Sequence, residues 1–310
     1  MQQSPGMPHI PLEPVTRLSA FRRIALATWR TARDPTVYGS VTLRMDQSRA
    51  YMLAYREATG KRLTLTHMFA KAMAGMLETC PDVNVIRRWG RIYRRKDNVV
   101  MFQVAMEDPE TGKIDLSVHT QRDSHEKDLG QVVDEFEASV RTIKKAEDPE
   151  LERTRGLMKR LPTWLTGLVV EGLSFVMYTL NVDVSGLGFP YSPFGPVAVT
   201  NVGSLGIEEA FVPLVPYTKG SLVVALGAMT RTPVVNDDGS VESAWTVKLM
   251  ATFDHRVLDG AHAAQMVKVI RAWMEDPYTH FGPIPADTEA PPPTLTDAEA
   301  APGSPAETAG

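Results

Sequence analysis

The chain has 310 residues, of which 43% are hydrophobic and 23% charged, a composition that can bury a substantial core. Its formal charge is −4, from 33 basic and 37 acidic residues. Residues 286–310 hold five acids and no Lys or Arg, and residues 1–14 hold one acid, Glu13, which leaves the body between them at +2. A near-neutral body lacks the basic stripe of a nucleic-acid-binding surface. The single cysteine, Cys80, excludes an internal disulfide framework and a cysteine-rich zinc site. The N-terminus has no basic start followed by an apolar run, so no secretory signal is read there. A reducing, cytoplasmic setting is the expectation.

Residues 1–14, with four prolines, and the Ala/Pro/acid-rich stretch 285–310 read as flexible ends, because neither holds enough apolar surface to offset the entropy of ordering. Between them, 15–284 reads as one domain of alternating helices and strands. Leu18, Phe21, Ile24, Ala25 and Thr28 fall at helical spacing, predicting a helix over 16–33 that stops near Asp34-Pro35. Val37 to Met45 alternates as a strand. Asp46 starts a helix through about Thr59, with Gly60 as its stop. Thr64 or Thr66 caps a further helix, His67 to Thr79, ending before Pro81. Strands are expected at Asn98–Met106 and Ile114–Thr120, and an amphipathic helix at Leu129–Ala146. Val197–Asn201, Ser221–Met229 and Trp245–Asp254 read as strands, and Ala261–Met274 as the closing helix.

The stretch Ala251-Thr252-Phe253-Asp254-His255-Arg256-Val257-Leu258-Asp259-Gly260 carries the chemistry. A β-like run ends in Asp-His-Arg, and an Asp-Gly opens a helix four residues after the histidine. An imidazole held at such a turn, with an ordinary pKa of about 6.5, suits a general base near neutral pH. Spacing alone leaves a structural or solvated histidine as the commoner reading. The whole string DHRVLDG resembles the active-site signature of the 2-oxoacid dehydrogenase acyltransferases, relatives of chloramphenicol acetyltransferase. The resemblance extends to Val197–Gly203, similar to a strand ending in Ser-Asn-x-Gly, and to SLVVALGAM at 221–229. It also takes in Arg22–Ala25 in the first helix, and Leu65 to Asn84 with Pro81-Asp82-Val83-Asn84. In all it covers about 16–148 and 195–277. A single histidine preceded by Asp254 and followed by Arg256 favours the dehydrogenase branch over the relatives with two adjacent histidines.

The resemblance implies an α/β fold, a chloramphenicol acetyltransferase-like mixed β-sheet flanked by helices, with the active site at a trimer interface. It implies transfer of an acyl group between coenzyme A and a dihydrolipoamide-like thiol. His255 would be the base, Thr200 (where the family has serine) the oxyanion donor, and Asp259 an organiser of local hydrogen bonds. Asp254, Arg256, Asn201 and Gly260 would be structural around the site. Coenzyme A or acyl-CoA is then a substrate, with no metal and no lipoyl group on this chain. Only about fourteen residues precede the core, so the lipoyl group would sit on another protein, or the acceptor would be different. A homotrimer, or a larger cage, is implied. The other class of function is a noncatalytic assembly core.

Residues 149–194 depart from the family as an insertion. Within them 157–180 shows an apolar stripe (Leu161, Leu165, Leu168, Gly172, Val176, Leu180) opposite a weakly polar one (Thr163, Thr166, Gly167, Ser174, Tyr178). A buried or partner-facing helix is the favoured reading, ahead of peripheral membrane contact and of a membrane span. The run Arg87, Arg88, Arg91, Arg94, Arg95, Lys96 reads first as a solvated face and second as a contact for coenzyme A phosphates or an acidic partner. His119 reads as a core histidine and Cys80 as a small packed side chain. His262, seven residues after His255, lacks the partners of a metal site. Gly186, Gly188, Gly203 and Gly206 do not form a phosphate-binding glycine motif.

Overall fold

The structure, a computed structural model, describes residues 10–16, 19, 23, 35–107, 114–144, 162–187, 189 and 191–285. Apart from Thr16, Ser19 and Arg23, the expected helix over 16–33 lies outside them, as does the tail from 286. A seven-stranded mixed sheet forms the frame. It contains β2 (Thr36–Arg44), β5 (Val99–Glu107), β6 (Ile114–Arg122), β7 (Val197–Asn201), β8 (Leu222–Leu226) and β10 (Val241–Asp254), in the order β2-β10-β8-β7-β5-β6. The seventh strand, β9 (Thr230–Val235), pairs with β10. β7 runs parallel to both β5 and β8, and the other pairs are antiparallel. β8 is buried at all five positions, as a strand covered on both faces must be.

Helices α1 (Asp46–Thr59), α2 (Leu65–Thr79), α3 (Leu129–Lys144) and α5 (Gly260–Glu275) pack with the sheet around the main core. α1 stops at Gly60, whose φ of 68° places it in the left-handed region. Thr64, not Thr66, caps α2: its hydroxyl accepts the His67 N–H, and the His67 ring accepts the Thr64 N–H. α2 is buried along its length; Met68, Phe69, Met73, Met76 and Leu77 are all at most 2% exposed. Cys80 is buried at its end, as expected, and burial raises its thiol pKa.

A second sheet joins β1 (Leu12–Pro14), β4 (Arg91–Arg95) and β3 (Val85–Arg88). Here the structure corrects the sequence reading, which left 1–14 as a flexible end. Leu12–Pro14 pair with β4, and Ile10 is fully buried in a second core with Ile86, Met177, Tyr178 and Val184. Asn181 holds this segment with two hydrogen bonds to the Ile10 backbone.

The 157–180 stretch lies in part within the described residues. Its described part is an α-helix, α4 (Thr163–Ser174), followed by a π-helical turn over Phe175–Leu180. Of the apolar stripe, Leu168 and Leu180 are 61% and 46% exposed while Val176 packs against the second core, and Ser174 and Tyr178 of the weakly polar stripe are buried. Two contacts decide this. Tyr178 and Met177 fill the second core, and the Ser174 hydroxyl donates to the Tyr217 carbonyl at 2.6 Å. The wider π turn also breaks the 3.6-residue period on which the stripe was read. No helix among the described residues is long and apolar enough to cross a membrane.

Under the sheet two histidines share one aromatic face. His67 and His119 lie edge-on to Phe136 at 5.0 and 4.6 Å. His119 is bonded to Ser139 at 2.7 Å and Gln121 at 2.8 Å, a satisfied core histidine as expected. The Glu137 carboxylate lies 3.4 Å from His67 Nε2, but burial dominates and holds the His67 pKa down at about 4. The native state therefore binds this proton less readily than the unfolded chain, whose imidazole titrates near 6.5. The resulting stability is present in full above pH 6.5 and is lost as pH falls towards 4, an effect of roughly 3 kcal/mol. His67→Gln keeps a side-chain acceptor for the cap and removes the titration. Urea denaturation from pH 7 to 4 should show the variant losing less stability on acidification than the wild type.

Candidate active site

β10 is the axis of the site. It pairs with β2 at nine positions, and with β8 on its other side at five. The backbone bonding continues past the strand: Asp254 N–H donates to the Ser221 carbonyl and His255 N–H to the Pro35 carbonyl, both at 2.9 Å. The chain then turns, with the Val257 and Leu258 N–H groups both donating to the Asp254 carbonyl. Val257 and Leu258 are buried at 4% and 0% exposure and anchor the turn to the core.

Asp254 and Arg256 close the turn from outside. Arg256 Nε and Nη2 each donate to the Asp254 carboxylate, at 2.9 and 2.8 Å, and the Arg256 backbone N–H adds a third bond at 2.9 Å. This two-point guanidinium–carboxylate geometry fixes orientation as well as charge, and agrees with the structural pairing expected from the sequence. His255, between them, is half-buried, with Phe253 edge-on at 6.3 Å. Its Nδ1 lies 2.7 Å from the Leu258 carbonyl oxygen. A carbonyl can only accept, so Nδ1 carries the proton and the basic lone pair of the neutral ring is on Nε2.

Asp259 caps α5: its Oδ1 accepts the N–H groups of Ala261 and His262 at 3.1 and 3.2 Å. The same oxygen lies 2.5 Å from His262 Nδ1. The sequence reading weighed His262 only as a metal ligand and missed this pairing, whose signal is the i,i+3 spacing from a helix-capping acid. Gly260 is the first residue of α5. Among the described residues no group of three or more His, Cys, Asp or Glu could hold a metal ion.

Thr200 is the penultimate residue of β7, half-buried. Asn201 follows it and builds the local frame. Its Oδ1 accepts the Ser204 N–H at 3.1 Å, and its Nδ2 donates to Thr66 Oγ1 at 3.0 Å, tying the end of β7 to the start of α2. Gly203 is required there, since a Cβ would fall 2.4 Å from the Gly227 carbonyl oxygen.

The structure does not bring Thr200 to His255 within one chain. Thr200 is level with Ala225 of β8, and Ala225 with Met250 of β10, whereas His255 lies five residues beyond Met250. At about 3.3 Å per residue and 4.8 Å per strand, the two are separated by roughly 16 Å along the sheet and 10 Å across it. They stand at opposite ends of the strands.

Residues 195–281 match the family described as 2-oxoacid dehydrogenases acyltransferase (catalytic domain). Over 81 residues the chain is 37% identical to the dihydrolipoyllysine-residue acetyltransferase component of the acetoin cleaving system of Bacillus subtilis. That match covers 26% of this chain and spans about a fifth, 19%, of the relative. Among solved structures, the cubic core of a pyruvate dehydrogenase multienzyme complex superposes with a TM-score of 0.59, at 18% identity, over 87% of this chain and 93% of that one. The dihydrolipoamide acetyltransferase of Azotobacter vinelandii, studied for the catalytic roles of a serine, a histidine and an asparagine, gives 0.57 at 20% identity over the same shares. At these identities the structures establish the fold, a mixed sheet flanked by helices as expected.

Losing one partner of the Asp254–Arg256 pair strands a buried charge. Arg256→Met should destabilise the protein by about 3 kcal/mol, measured by urea denaturation at pH 7.

Proposed function

We propose that the chain transfers an acyl group between coenzyme A and a dihydrolipoamide-type thiol, with His255 as general base. The observation that carries this reading is the His255 Nδ1–Leu258 carbonyl bond, which orients the ring and puts the basic lone pair on Nε2. A thiol with a pKa near 8.5 is mostly protonated at neutral pH, so its attack on a thioester needs a base. Nε2 takes the thiol proton, and the sulfur attacks the acyl carbonyl. The tetrahedral intermediate then collapses with expulsion of the other thiolate, which recovers the proton from the imidazolium.

The oxyanion needs a fixed donor. The Azotobacter relative was investigated at a serine, a histidine and an asparagine; here the hydroxyl is Thr200, the base is His255, and the acid four residues after it is Asp259. Thr200 of the same chain is too far to serve, which favours a site assembled between subunits, His255 from one and Thr200 from its neighbour. A trimer is the smallest closed ring in which every interface is of this head-to-tail kind and every site is complete. The likeness to a multienzyme-complex core supports such an assembly. Asp259 acts by capping α5 and holding His262, which fixes the segment behind the base.

His255→Ala should abolish thiol release from acetyl-CoA with free dihydrolipoamide while leaving the melting temperature and assembly size unchanged. Full activity in that variant overturns His255 as the base, and no activity in the wild type leaves the assembly-core reading. Thr200→Val should lower kcat by about 10²–10³. Refolded together in equal amounts, the two inactive variants should recover about a quarter of wild-type activity, because one interface in four then joins an intact histidine to an intact hydroxyl. No recovery in co-assembled protein would place both groups in one subunit.

A further inference from the structure

A cavity of about 450 Å³ opens beside the catalytic turn, and both neighbours of His255, Asp254 and Arg256, line it. Four cationic side chains face it: Arg87 and Arg88 from β3, Lys219 from the loop before β8, and Arg256. Asp254 is the one carboxylate among the lining residues, and Arg256 already occupies it. Arg88 is spent on the Thr179 carbonyl, to which it donates twice. Among the described residues neither the Arg87 nor the Lys219 side chain has a carboxylate within ion-pair distance. Loss of water lowers the pKa of Arg87, and repulsion from Arg256 lowers it further against the pull of Asp254. Lys219 is lowered in the same way, by loss of water and then by Arg87, with Glu171 opposing.

Two further features mark this as a built site. Lys219 sits at φ 56° and Trp89 at φ 49°, a left-handed conformation that costs a non-glycine residue energy and persists where the surroundings impose it. Both line the cavity. The wall opposite the turn includes Thr179, from the π-helical segment that the sequence marks as divergent from the family. Converging cations with one engaged counter-charge are an arrangement that an anion completes.

We infer that this cavity is an anion-binding subsite that holds a phosphate or carboxylate group of a substrate next to the catalytic turn, with Arg87, Lys219 and Arg256 as its ligands. The inference rests on the acyl-transfer reading only for which substrate brings the anion. Binding is measured without turnover, so failure of the subsite and failure of the reaction give separate results.

The test is titration calorimetry of the full chain with pyrophosphate, adenosine 3′,5′-bisphosphate and glutarate, at low and at moderate salt. At least one should bind saturably, one per chain, and more weakly as salt rises. The tighter of the last two identifies the source, a nucleotide end of the donor or an acyl carboxylate. Lys219→Gly removes the charge and suits the left-handed backbone, so affinity should fall roughly fivefold or more with no loss of melting temperature. Arg87→Gln should weaken binding similarly, and His255→Ala should leave it unchanged. Saturable binding by none of the three probes, or wild-type affinity in both charge variants, overturns the inference.

Discussion

The bond between His255 Nδ1 and the Leu258 carbonyl is the smallest closed loop in the site, and everything larger exists to hold it. It forms because the chain folds back within three residues. That turn holds because Val257 and Leu258 are buried while Asp254 and Arg256 close its outer side. The two ends are equally constrained. β10 delivers His255 already bonded through its backbone to Pro35, and Asp259 starts α5 by accepting two of its first N–H groups. A histidine so placed has one orientation and one neutral tautomer, which a proton acceptor needs.

The same central strand explains why Thr200 and His255 stand far apart within one chain. β10 is antiparallel to β8, and β8 is parallel to β7. The end of β10 that carries His255 therefore lies at the starts of β7 and β8, and Thr200 ends up on the far side. Strand direction, not side-chain preference, separates the two groups. The reading of an interfacial site thus rests on register within one subunit.

Much of the frame was legible in the sequence where local rules and tertiary packing agree. Asp46–Thr59 with its Gly60 stop, the Thr64 cap and the strand Val197–Asn201 all follow from short-range signals. β9 is not among the expected strands; its Pro233 is tolerated because, among the described residues, β9 pairs with β10 alone and forms an edge. The β3–β4 hairpin was hidden by arginine density. Its basic run divides: Arg91 and Lys96 are exposed, whereas Arg95 is 3% exposed, paired with Asp97 and bonded to Ser192 and Phe194, which fastens the end of the divergent segment to the core.

The sequence by itself determined the main helices and central strands in their order, the motif Asp254-His255-Arg256 at a strand-to-helix turn, and the family to which that motif points. These depend on periodicity, caps and residue identity over a few positions, and such interactions are local. Only the tertiary structure decided which face of 163–180 turns inward, that Thr200 stands far from His255 in the same chain, and that Arg87 and Lys219 converge on Arg256. Each of these depends on groups remote in sequence being brought together by the sheet, and a one-dimensional pattern carries no record of that distance.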